Sequence, residues 1–149
     1  MQITFDPCQP LVVVPPAGIT PAESQSLDDA IAMWHKVGMT QVSREESANA
    51  QHLTLRFQKA LPAFFGIYLD KTGEVVVNTS LTDRTQRAIT MAHEMGHAWG
   101  LFHIETSVRT SVMNKGNLTT RPLTADADAV LAHWGGLCAD RAAQATAGN

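Results

Sequence analysis

The fragment His93-Glu94-Met95-Gly96-His97-Ala98-Trp99-Gly100-Leu101-Phe102-His103 constrains this chain more than any other stretch, because its spacing demands a helix, a stop and a reversal in that order. On a helix His93 and His97 are four residues apart and project from one face, so two imidazoles can reach one ion. Glu94 lies about 100° further round, where its carboxylate can reach a water on that ion without ligating it. Gly100 permits a positive φ, and with it a turn that could swing His103 back as a third ligand. Three protein ligands leave a fourth position open. That is the coordination of a catalytic zinc site, since structural zinc is normally closed by four ligands and rich in cysteine. A bare His-Glu-x-x-His could be two surface histidines and a glutamate. Gly100 and His103 at the extended spacing add two further chemical requirements, and together they favour one catalytic Zn2+ on His93, His97 and His103 with Glu94 as general base.

The rest of the chain bounds what can surround that helix. In 149 residues a second core would be cramped, so residues 1–149 are read as a single domain carrying one site. A hydrophobic fraction of 44% and a charged fraction of 17% belong to an ordinary folded protein and not to a disordered one. A net charge of -3 supplies no basic field, which argues against nucleic acid and against an anionic membrane surface as partners. No apolar run approaches the roughly 20 residues that cross a bilayer, and Leu11 to Val14, the longest candidate, is cut by Pro15 and Pro16. Residues 1–20 lack a secretory signal's basic start, long apolar middle and small-residue cleavage site. Two settings stay open, a cytoplasmic protein or a trimmed form of a secreted one, with the extracellular setting favoured.

The two cysteines, Cys8 and Cys138, are too far apart in sequence for a CxxC redox or zinc-ribbon motif. A disulfide between them would close a loop of about 130 residues and could contribute roughly 4–5 kcal/mol by chain entropy. The alternative is two unpaired thiols. His35, His52 and His133 have no mutual ligand spacing and are read as structural or surface residues, while Trp34, Trp99 and Trp134 are assigned to the core.

The element pattern begins with a short strand at Ile3–Phe5, ended by Asp6-Pro7 and followed by a proline-rich loop through Gly18. Thr20-Pro21-Ala22-Glu23 is a helix start with a capping box, and Leu27, Ala30, Ile31 and Trp34 then recur at helical spacing until Gly38. His52 to Gln58 alternates like a half-buried strand. Phe64–Leu69 and Glu74–Asn78 flank the turn sequence Asp70-Lys71-Thr72-Gly73 and read as a hairpin. A helix runs from the cap at Asp83 to Gly100, and another spans about Ala125 to Trp134, stopping at Gly135-Gly136. The order predicts an α+β fold.

The extended motif HExxHxxGxxH, matched by His93, Glu94, His97, Gly100 and His103, resembles that of the metzincin metallopeptidases. Ser111-Val112-Met113-Asn114 resembles the methionine turn of that family, with Met113 as its methionine. Leu123-Thr124-Ala125-Asp126, followed by Ala129, Val130, Leu131 and Trp134-Gly135, is similar to the C-terminal helix of the matrixin-like branch. The resemblance implies a single compact domain with a twisted, mostly parallel sheet, an antiparallel edge strand, an active-site helix and a C-terminal helix. It implies a zinc endopeptidase whose substrate pairs with the edge strand, for which Phe64, Phe65, Gly66, Ile67 and Tyr68 are the candidates. The partner would be a peptide or protein substrate, with no nucleic acid, no membrane insertion and a monomeric chain. Several features depart from the matrixin pattern: Ile104 follows the third histidine, no Asp-Pro precedes the methionine turn, and Lys115-Gly116-Asn117 replaces the proline-and-tyrosine wall. A rival from a different class is a zinc-binding interaction module or pseudoenzyme without turnover; another is a processing enzyme acting on one partner.

Overall fold

Leu11–Val14 is an unbroken apolar run between two prolines, and in the computed structural model, which describes residues 2–139, it forms strand β1 with a parallel neighbour on each side. A parallel strand inside a sheet reads as a continuous hydrophobic run because water reaches little of it. This corrects two expectations, a loop at 11–14 and a strand at Ile3–Phe5. The Ile3–Phe5 segment makes isolated backbone bonds and no ladder: Ile3 N–H donates to Asp70 O at 2.6 Å and Phe5 N–H to Ala98 O at 2.8 Å.

The remaining strands are β2 (Val42–Ser43), β3 (Gln51–Gln58), β4 (Gly66–Leu69) and β5 (Glu74–Asn78), in the sheet order β2-β1-β3-β5-β4. All neighbours are parallel except β4, which runs antiparallel to β5 at one edge. Period two holds in β3, where Leu53 and Leu55 are buried and Thr54 between them is exposed. Two-residue β2 carried no legible signal. The hairpin is present, but its first strand starts at Gly66, so Phe64 and Phe65 precede it. Asn78 is the reason: its buried side-chain amide donates to the carbonyls of Leu61 at 2.9 Å and Phe64 at 2.6 Å, holding that segment as a turn.

Helix α1 (Pro21–Lys36) starts in the expected capping box, with Glu23 N–H donating to Thr20 Oγ1 at 3.1 Å and Thr20 N–H to Glu23 Oε1 at 2.9 Å. Helix α2 (Arg84–Ala98) is capped by Asp83, which accepts from Gln86 N–H at 2.9 Å, and α3 (Thr124–His133) follows a long irregular stretch. Leu27, Ala30, Ile31 and Trp34 of α1 and Ala88, Met91, Ala92 and Met95 of α2 share one core with Leu11, Val13, Leu53, Leu55, Val75 and Val77 of the sheet. Both helices therefore cover the same sheet face. Trp34 joins them: its indole N–H donates to Ala92 O at 3.1 Å and its ring meets Trp99 edge-on at 5.0 Å, a contact worth about 0.5–1.5 kcal/mol beyond burial.

Cys8 and Cys138 form a disulfide, with Cα atoms 5.3 Å apart, which ties the segment before β1 to the chain beyond α3. The described residues make a single α/β domain with a mixed sheet and three helices, α1 to α3. The chain passes through α1 between parallel strands, so helices and strands interleave more than the α+β expectation allowed. No described helix is long and apolar enough to cross a membrane.

Candidate metal centre

Helix α2 carries His93, Glu94 and His97 through the core to its end at Ala98. Gly100 then adopts φ 106°, and a Cβ there would lie 2.5 Å from the imidazole Nε2 of His133. Both the left-handed backbone and the close approach of α3 require glycine, which explains the reversal and gives His133 a packing role. Beyond the turn, His103 comes back to the helix. The ligand-capable atoms of His93, His97 and His103 all lie within 4.8 Å of one another, and the three ring centroids are 4.9 to 5.2 Å apart.

The rings of α2 are held in a defined tautomer. His93 Nδ1 lies 2.6 Å from Val112 O and His97 Nδ1 lies 2.7 Å from Leu101 O. A carbonyl only accepts, so each Nδ1 carries the proton and each Nε2 is left as a lone pair, the arrangement usual for metal-ligating histidines. Burial favours the neutral rings. It brings His93 down to about 4, helped by His97 and His103 and opposed by the Val112 bond, and it lowers His97 as well.

Glu94 is 5% exposed and is not one of the three converging groups. Burial pushes its carboxyl up to about 8, opposed by the Tyr68 backbone in the edge strand. Three converging imidazoles beside a carboxyl deprived of solvent make a good seat for a cation: a positive charge there would offset the desolvation of Glu94. Donor type, count and free lone pairs all fit zinc.

Beneath the histidines lies the turn Ser111-Val112-Met113-Asn114, buried throughout. Met113 packs under Gly96 of α2, where any Cβ would overlap its sulfur. The turn is held mainly by Asp126, on the first turn of α3 and 0% exposed. Its carboxylate accepts from Ser111 Oγ at 2.5 Å, Arg109 Nη1 at 2.8 Å, Leu123 N–H at 2.9 Å and Val112 N–H at 3.1 Å. Val112 thus donates its N–H to Asp126 and accepts at its C=O from His93. In the sequence Asp126 stands out only within the stretch that resembles the C-terminal helix of the matrixin-like branch. Its acidic residue three places after Leu123 was the available signal, and nothing marked the partners.

A cleft of about 500 Å³ opens over these groups. The Phe64–Tyr68 segment forms one side, Leu101, Phe102 and His103 another, and Lys115, Gly116 and Asn117 a third. Of the candidate edge residues, Gly66, Ile67 and Tyr68 lie in β4, while Phe64 and Phe65 line the cleft from the preceding turn. His35 and His52 lie outside the cluster: His35 Nε2 is 2.6 Å from Val42 O, and His52 pairs with Glu46 at 2.7 Å.

No family model matches the chain, and no curated protein sequence matches it. Among solved structures the chain is similar to archaemetzincin from Methanopyrus kandleri, with a TM-score of 0.52 and 14% identity over 85% of this chain and 95% of that one. At that identity the likeness is one of fold.

Proposed function

We propose that this protein is a zinc-dependent endopeptidase of the metzincin kind, in which His93, His97 and His103 hold one Zn2+ and Glu94 is the general base. The observation that carries the reading is the convergence of three imidazoles, two with Nε2 left as a lone pair, beside a buried carboxyl in a cleft along a sheet edge. The fold likeness to archaemetzincin supports it, and the resemblance of the Met113 turn and α3 to the matrixin-like branch extends it.

Zinc bound there would supply Lewis acidity and would acidify a water to a pKa of about 7. The chain's own residues do the remaining work. An extended peptide adds to β4, whose outer side has no strand neighbour among the described residues, through main-chain hydrogen bonds. The Glu94 carboxylate accepts a proton from the attacking water and returns it to the leaving amine. A module that only stored zinc would have no use for Glu94, because burying a carboxyl that ligates nothing is costly.

Metal analysis of purified protein should find about one zinc per chain, and a chelator should abolish cleavage of a peptide library, with zinc restoring it. Equal cleavage by metal-free protein would overturn the proposal.

A further inference from the structure

Within the cleft, charge is distributed unevenly. Lys115 is the only lysine or arginine among its lining residues, and it is exposed. Among the described residues no carboxylate lies within 4.0 Å of it, which is equally so for Lys36, Lys59, Lys71 and Arg121; its place in the cleft lining is what sets Lys115 apart. The backbone that presents it is anchored on both sides. Asn114 donates through Nδ2 to Ile104 O at 2.8 Å, Asn117 donates through Nδ2 to Thr120 O at 2.7 Å, and Asn117 N–H donates to Asn114 O at 3.1 Å. An exposed ammonium on an anchored loop lining the same cleft as the candidate metal centre is within reach of a peptide bound there, and an acidic side chain of that peptide can pair with it. The chain as a whole carries a net charge of -3, so its long-range field repels acidic peptides and any preference for them must arise locally.

We infer that Lys115 makes the cleft selective for peptides with an acidic side chain close to the scissile bond. This rests on the endopeptidase reading and adds a substrate class to it. The described lining also holds the carboxyl side chains of Asp70 and Glu94 and the exposed apolar side chains of Phe64, Ile67 and the 75% exposed Phe102, so Lys115 is the lining cation with which an acidic side chain of a peptide can pair, provided the peptide places that side chain away from those carboxyls.

The test uses zinc-loaded protein and peptides identical except for Glu, Gln or Lys at each position within about four residues of the cut. At one position the Glu peptide should have a kcat/KM about 10-fold above the Lys peptide, carried by KM, in keeping with a solvent-facing ion pair formed in one case and a like-charge contact in the other. The gap should shrink at high salt. Lys115→Glu should invert the order at that position, and Lys115→Arg should keep it. An identical ranking in wild type and Lys115→Glu at every position would overturn the inference while leaving the peptidase reading intact. Zinc-loaded wild type that cut no peptide at all would sink that reading and this inference with it.

Discussion

Residues 93–103 and residues 104–126 bear on the same cluster of histidines but are organised by different physics. The first stretch is local: helical period aligns His93 with His97, one glycine reverses the chain, and His103 returns within three residues. The second has no regular element until α3 begins at Thr124, and it depends on bonds across long separations, above all those from Asp126 to Arg109, Ser111 and Val112. The contrast teaches that the candidate ligands can be identified from spacing alone, whereas their rigidity is supplied by a floor that spacing does not disclose.

The comparison breaks most readily at Asp126. Asp126→Ala would leave Ser111 Oγ and two backbone N–H groups without their acceptor and Arg109 without its counter-ion, so we expect a loss of about 3–5 kcal/mol in stability by urea unfolding. Zinc affinity should also fall by about 10–100-fold, because Val112, whose carbonyl orients His93, loses the anchor on its N–H. Unchanged zinc affinity in a folded variant would show that the histidines stand without the floor.

A smaller effect is expected at the disulfide, which lies outside both stretches. Cys138→Ser should cost about 2–4 kcal/mol, chiefly by freeing the unfolded chain, while zinc binding at saturating metal should persist. Loss of zinc binding in folded Cys138→Ser protein would contradict the separation drawn here between scaffold and site.

The smallest effect is on a surface pair. Asp29 accepts from Arg84 at 2.7 Å, and that hydrogen bond holds its carboxyl below the usual value against a desolvation that raises it. A depressed folded pKa means that the contribution is present above the unfolded value, about pH 4, and is lost as pH falls through the folded value. Arg84→Ala should therefore lower the urea midpoint slightly at neutral pH and leave it unchanged in strong acid; an equal drop at both would mean the pair acts by packing.

How far the sequence was legible follows the same division. The capping box at Thr20 and Glu23, the alternation of β3 and the hairpin around Gly73 rely on neighbours in the chain, and each is where local chemistry put it. Leu11–Val14 was misread because a parallel strand inside a sheet does not alternate, and the flanking prolines suggested a loop. Phe64 and Phe65 have strand-like composition, yet Asn78, 14 residues from Phe64, bends that segment by capturing its carbonyls. In the candidate site the histidines and Glu94 were legible from period. The Val112 carbonyl and Asp126 were not, since a backbone group has no sequence signature and the groups that Asp126 binds come from a separate, irregular stretch.

The central claim is that Glu94 moves a proton and does not hold metal. The measurement that tests it most directly compares zinc content and peptide cleavage in wild type and Glu94→Gln. The account predicts that the variant keeps about one zinc per chain and its fold, while kcat falls by about 10²–10⁴-fold with KM much less affected, because the amide cannot accept the water's proton. Full cleavage by zinc-loaded Glu94→Gln protein would contradict it.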